Sequence, residues 1–241
     1  MMRVAGPVYL VGGQDYNRVY LDWPANDANV YLVDSGDTLV MVDCGCGESL
    51  QGILANVERL GFEVPDISHL LLTHEHFPHA GAASAVQKMS VQVAASAPAA
   101  DAVRAGDLRT AAFWYHRPFV PCEGALTVME DGGRIEVGAL SLRALALPGH
   151  SPGSMGYELV AEGCRMLFCG DVVRSPLLES CRGRIGYDGR ACLESLKRLL
   201  ADPPDVLLPG HGPFCLSHGH AWIEEELRKL LSHGPVGAGP M

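Results

Sequence analysis

The stretch Thr73-His74-Glu75-His76-Phe77-Pro78-His79 puts three imidazoles within six residues, directly after the apolar run Leu70-Leu71-Leu72. A buried strand that ends where the imidazoles begin delivers them together at its mouth, with His74 and His76 turned the same way. Neutral imidazole is the commonest zinc ligand and also suits iron, and a catalytic site uses about three protein ligands plus one open position. The stretch therefore reads as the main part of a metal site, against the alternative of a polar loop rich in histidine. Matching contexts downstream favour the first reading: Pro148-Gly149-His150 follows the predicted strand Leu140 to Leu147, and Pro209-Gly210-His211 follows Val206-Leu207-Leu208.

At 241 residues the chain is long enough for one large α/β domain, expected over residues 1–233, with 234–241 as a loose tail. A formal charge of −10, with 18 Lys+Arg and no basic run, argues against nucleic acid or an anionic membrane as partner and for a small-molecule substrate. Neither a signal-peptide core nor an apolar run of about 18 residues is present, so a cytoplasmic location is expected. The eight cysteines (Cys44, Cys46, Cys122, Cys164, Cys169, Cys181, Cys192 and Cys215) form no CxxC pair and are expected as buried thiols rather than disulfides.

Val8 to Val11 reads as a strand. Asn29 to Asp34 then pairs with Thr38 to Asp43 across Ser35-Gly36-Asp37, a hairpin ending on an acid. Leu50, Ile53, Leu54, Val57 and Leu60 hold helical spacing up to Gly61, and Leu70 to Leu72 follow. The order returns downstream. Gly156 to Val160 and Arg165 to Cys169 flank Glu162-Gly163 and end on Gly170-Asp171; Leu193, Leu196, Leu199 and Leu200 mark a helix, and Val206 to Leu208 lead to His211. Such a repeat predicts an internal duplication with both sets of loops at one edge. Between the halves, helices are predicted over Ala83 to Lys88 and Pro98 to Arg104, with a strand at Val91 to Ala94. The aromatic segment Phe113-Trp114-Tyr115-His116 either walls a pocket or plugs the core; Tyr115 and His116 are its candidates for substrate contact. Trp222, Ile223, Leu227, Leu230 and Leu231 predict a last amphipathic helix. His69, His218, His220 and His233 lie off these motifs and read as surface or helix-flanking residues. Cys44 and Cys46 follow Asp43 in a loop expected near the site, where a ligand or redox role stays open.

The succession Asp43, His74-x-His76-x-x-His79, Gly149-His150, Gly170-Asp171 and Gly210-His211 resembles the metallo-β-lactamase-fold superfamily across nearly the whole chain. Leu147-Pro148-Gly149-His150-Ser151-Pro152-Gly153-Ser154 is most similar to its glyoxalase II-like, small metallo-hydrolase branch. The resemblance implies a four-layered αβ/βα sandwich of two mixed β-sheets flanked by helices. It implies that His74, His76 and His150 hold a first metal, that His79 and His211 serve a second, and that Asp171 bridges both. Asp171 and His211 would be catalytic, and Asp43 would support the site by hydrogen bonding rather than ligation.

One position departs from the family pattern, which is His-x-His-x-Asp-His: Pro78 stands where the aspartate belongs. Proline brings neither a carboxylate nor a backbone N–H. Glu75, the nearest acid, is expected to face away. The expectation is one tightly held zinc and a second that is weak or absent, with iron or manganese as alternatives. A single ion still supports hydrolysis by a metal-bound water of an activated acyl bond, such as a thioester, lactone or similar ester. Glyoxalase II grips glutathione with a C-terminal helical domain for which this chain ends too soon, so glutathione thioesters are not favoured. One alternative is a mononuclear non-haem iron thiol or persulfide dioxygenase built on His74, His150 and Asp171. Another is a degraded site that only binds metal or ligand.

Overall fold

Val30 and Leu32 face one way and Tyr31 and Val33 the other, yet all four are buried. A strand with no wet face must lie in a sheet covered on both sides. The computed structural model describes residues 1–13, 27–173 and 185–232. Seven strands form one sheet in chain order: β1 (Met2–Ala5), β2 (Val8–Gly12), β3 (Val30–Asp34), β4 (Leu39–Val42), β5 (Ile67–Leu71), β6 (Gln92–Ser96) and β7 (Leu126–Met129). Five form the other: β8 (Arg134–Val137), β9 (Leu140–Ala146), β10 (Met155–Ala161), β11 (Cys164–Gly170) and β12 (Val206–Pro209). The helices are α1 (Leu50–Arg59), α2 (Phe77–Ala80), α3 (Ala83–Gln87), α4 (Ala97–Ala105), α5 (Gly189–Ala201) and α6 (Gly219–Ser232).

Three apolar clusters define the layers. Val30, Leu32 and Met41 pack under α1 and α4 through Ile53, Val57, Ala99 and Val103. Tyr31, Val33, Val40 and Val42, from the opposite face of the same strands, meet Leu142, Tyr157, Leu159 and Phe168 between the sheets. Leu145, Leu167 and Leu207 are covered by Leu196 and Leu199 of α5 and Ile223 and Leu230 of α6. Helix, sheet, sheet and helix are thus stacked by period-2 alternation in strands that are apolar on both faces, and the fold is the αβ/βα sandwich.

Both sheets are mixed, and the mixing places the site. β3 and β4 are antiparallel, α1 follows, and β5 pairs parallel to β4. β10 and β11 are antiparallel, α5 follows, and β12 pairs parallel to β11. In each unit the hairpin's second strand and the strand after the helix end on one edge, where Asp43, the histidine stretch, Asp171 and His211 leave the sheets.

Elements the sequence reading did not anticipate are β1, β7, β8 and α2. β7 and β8 have four residues each, too short for a periodic signal, and gain their partners only from β6 and β9. The expected tail at 234–241, His233 and Cys181 lie outside the described residues. The cysteines among the described residues are free thiols. No helix among those residues is long and apolar enough to cross a membrane.

Candidate metal centre

Asp43 leaves β4 in the left-handed region at φ 58°, where aspartate is among the better tolerated residues with a β-carbon. Its Oδ1 accepts the Thr73 N–H at 2.8 Å, and Oδ2 accepts Thr73 Oγ1 at 2.8 Å and His79 Nδ1 at 2.7 Å. Capturing Nδ1 leaves Nε2 as the inward-facing atom of His79. The chain comes back to His79 because His76 is extended and α2 starts after it. Pro78 sits in the first turn of α2, where its missing N–H costs nothing, and its fixed φ suits the turn. The His79 carbonyl is held in turn by the Cys44 N–H at 2.9 Å and the Cys44 thiol at 3.2 Å.

The second half closes the site. His150 Nε2 lies 2.9 Å from His76 Nδ1 and 3.3 Å from Asp171 Oδ2. Asp171 is central: Oδ1 is 3.5 Å from His79 Nε2, and Oδ2 is 4.0 Å from His74 Nε2 and 3.9 Å from His211 Nε2. The loop carrying His211 is tied to the first half. Asn29 Nδ2 donates to the Pro209 and Gly212 carbonyls at 2.9 Å each, and the Tyr31 hydroxyl donates to the Pro209 carbonyl at 2.8 Å. A Cβ on Gly210 would stand 2.3 Å from His79 Cε1 and 2.8 Å from Asp171 Oδ1, so this close approach requires glycine.

Two sets of donors converge with all their ligand atoms within 4.8 Å of one another: His74, His76 and His150, and His74, His79 and Asp171. The first is the set expected for the first metal. In the second, His74 appears where the resemblance implied His211, which stands against Asp171 but outside both groups. Of the six residues only His76 is partly exposed, so the site opens to solvent there.

Burial pushes the His74 imidazole well below its ordinary range, and its neighbours His79, His76 and His150 push the same way, which keeps it in the neutral, ligating form. At His79 burial also opposes the charge, but the Asp171 and Asp43 carboxylates prevail and raise it to about 10. A positive charge is favoured at that point, whether a proton or a metal cation. The residues fit such an ion: His74 Nε2 is buried without a hydrogen-bond partner, and the donor set is imidazole plus one carboxylate.

Other expected residues fall outside the cluster. Glu75 is buried and turned to Ser151, whose hydroxyl donates to its Oε2 at 2.9 Å; burial pushes its carboxyl upward. Cys44 is a buried strap on His79, and the Cys46 N–H donates to Asp27 Oδ1 at 2.8 Å; neither cysteine belongs to a donor group. Tyr115 stacks on Phe77, centroids 5.6 Å apart, which sets it beside the histidine stretch. Trp114, 55% exposed, shows that this part of the segment does not plug the core, and His116 is exposed outside both donor groups.

Asp27 and Asn29 were not foreseen. The Ala28 N–H reaches the Pro78 carbonyl at 3.4 Å, so the segment 27–29 braces both the histidine stretch and the His211 loop. The only signal was three consecutive residues with polar ends, Asp27-Ala28-Asn29, before a fully apolar strand.

A family model of the metallo-beta-lactamase superfamily matches residues 23–211. The chain is 30% identical over 194 residues to the probable metallo-hydrolase YqgX of Bacillus subtilis (strain 168), covering 77% of this chain and 85% of that protein. It is 29% identical over 184 residues to a hydroxyacylglutathione hydrolase of Aeromonas hydrophila, covering 76% of this chain but 60% of that protein's length. In three dimensions it matches a structure described as the first B3 metallo-beta-lactamase with an active-site glutamic acid. That match has a TM-score of 0.75, 28% identity, and coverage of 96% of this chain and 88% of the other.

Proposed function

Because the chain belongs to the metallo-beta-lactamase superfamily, we propose that it is a metal-dependent hydrolase of an activated acyl bond in a small molecule: a thioester, lactone or similar ester. The observation that carries this reading is the convergence of the His74, His76 and His150 donors beside the buried Asp171 carboxylate. The hydroxyacylglutathione hydrolase and the metallo-beta-lactamase among its matches support hydrolysis as the reaction class.

In this reading His74, His76 and His150 would hold a tight zinc ion, and His79 and Asp171 would offer donors to a weaker one, with His211 beside that carboxylate. A bound zinc ion supplies a Lewis acid for the carbonyl and an acidified water. Asp43 keeps His79 in one tautomer and orientation. Asp171 would accept the proton that the attacking water loses and pass that same proton to the leaving group, while His211, 3.9 Å from Asp171 Oδ2, would stand beside this carboxylate as a polar partner for the developing charge. Tyr115, half-buried against Phe77, is the residue placed beside the stretch for contact with the substrate.

Elemental analysis together with a panel of thioesters and lactones tests this. The expected result is about one equivalent of zinc per chain, with turnover that stops on chelation and returns with metal. Protein that carries no metal and hydrolyses no acyl substrate would overturn it. A second reading rests on the two-histidine, one-carboxylate set of His74, His150 and Asp171, which suits a mononuclear iron dioxygenase of thiols or persulfides. Iron in the purified protein and oxygen uptake on adding a persulfide would favour it.

A further inference from the structure

Glu75 lies between His74 and His76 and is 2% exposed, a carboxylate withdrawn from water without joining either donor group. A buried carboxylate is tolerated only where hydrogen bonds replace its hydration. One donor here is the Ser151 hydroxyl, beside the backbone N–H groups of Glu75 and Gly153, and Ser151 is the residue after His150. The loop around it is tightly ordered. Ser151 N–H donates to Ser154 Oγ at 3.1 Å, and Ser96 Oγ donates to the Gly153 carbonyl at 2.7 Å. A Cβ on Gly153 would fall 2.3 Å from Glu75 Oε2, so the loop backbone closes directly on the carboxylate. One side chain thereby connects the strand end that supplies His74 and His76 with the loop that supplies His150, whose Nε2 is 2.9 Å from His76 Nδ1.

We propose that Glu75 is a positioning residue of the metal centre: hydrogen-bonded to Ser151, it locks the His150 loop against the strand end carrying His74 and His76 and sets the spacing of the three imidazoles. This rests on the metal-centre reading above. A residue serving stability alone would leave the ion's coordination unchanged when altered, whereas a positioning residue changes affinity and geometry together.

The test is titration of the metal-free full chain with Co²⁺, read by visible absorption, and with Zn²⁺ by competition with a chelator. Glu75→Ala is expected to weaken binding by about 10- to 100-fold and to alter the cobalt spectrum. Glu75→Gln, which keeps an oxygen acceptor for Ser151, is expected to restore most of the affinity and the wild-type spectrum. Ser151→Ala should weaken binding in the same direction, and the double variant Glu75→Ala/Ser151→Ala should be no worse than Glu75→Ala, since both remove one interaction. Wild-type affinity and spectrum in Glu75→Ala, or strictly additive losses in the double variant, would overturn the inference. If Glu75→Ala does not fold, as judged by circular dichroism, Ser151→Ala decides, and wild-type binding by that variant overturns the inference. A wild-type chain that binds neither ion removes the metal-centre reading itself and this inference with it, an outcome distinct from unchanged variants of a metal-binding wild type.

Discussion

Two sides of the Asp171 carboxylate are built from unequal parts. On one, His74, His76 and His150 bring three imidazole donors together, with only His76 partly open to solvent. On the other, His79 and His211 face the same carboxylate across 3.5 and 3.9 Å, and Pro78 stands where a further acid would have been. Yet the second side is the more heavily braced, by Asp43 and Cys44 on His79 and by Asn29 and Tyr31 on the His211 loop. Bracing and donor number are therefore separate properties. The two donor groups share His74, so the imidazole that completes one is withdrawn from the other.

The largest expected effect separates the two sides directly. His150→Ala should abolish the tight ion and lower turnover by roughly 10³-fold or more, because it removes one of about three protein ligands. His211→Ala should leave that ion in place and lower turnover less. Equal metal loss in the two variants, measured by elemental analysis, would erase the asymmetry. Next comes Pro78→Asp, which adds a hard oxygen donor to the poorer side. Calorimetric titration should show about one additional equivalent of zinc or manganese relative to a wild type near one. Two tight ions in the wild type, with no gain in the variant, would break the comparison at its root.

A third effect concerns the brace beneath Pro78. Burial raises Asp27 from its ordinary 3.8 to about 6, against the pull of its hydrogen bonds. The folded state then holds this proton more strongly than the unfolded state, so stability falls as pH rises from about 4 to 6 and is lost by roughly 3 kcal/mol above that. Asp27→Asn, whose amide oxygen can still accept from Cys46 and Ala28, should recover most of that loss at pH 8 and none at pH 3.5 in urea unfolding. The smallest effect is Cys46→Ser. With Cys46 outside both donor groups, metal content and turnover should stay within about twofold of wild type. A metal loss there would add a sulfur ligand to the poorer side.

The two hairpin-helix-strand units were legible because each has long apolar runs of the right period, and the acids and histidines stand at the ends of those runs. β7 and β8 were not, since four-residue strands become strands through their neighbours. Nor was the bracing role of Asp27, which accepts the Cys46 N–H 19 residues on, or of Asn29, which donates to carbonyls up to 183 residues away. Among the described residues the donors converge as His74, His76 and His150 and as His74, His79 and Asp171, with His211 against Asp171 but in neither group.

Residue pattern was enough to name the hairpin-helix-strand units, the shared edge and the residue types of the site, because period and turn signals are local properties of the chain; the four layers came from the resemblance that the order of motifs carries. Which donors converge was decided by packing. The separation of His76 from His150 depends on how the two sheets stack and on how the 149–154 loop closes over Glu75. Those distances are set by the summed volumes of side chains between the sheets, such as Tyr31, Tyr157 and Phe168, and no short stretch of sequence contains that sum.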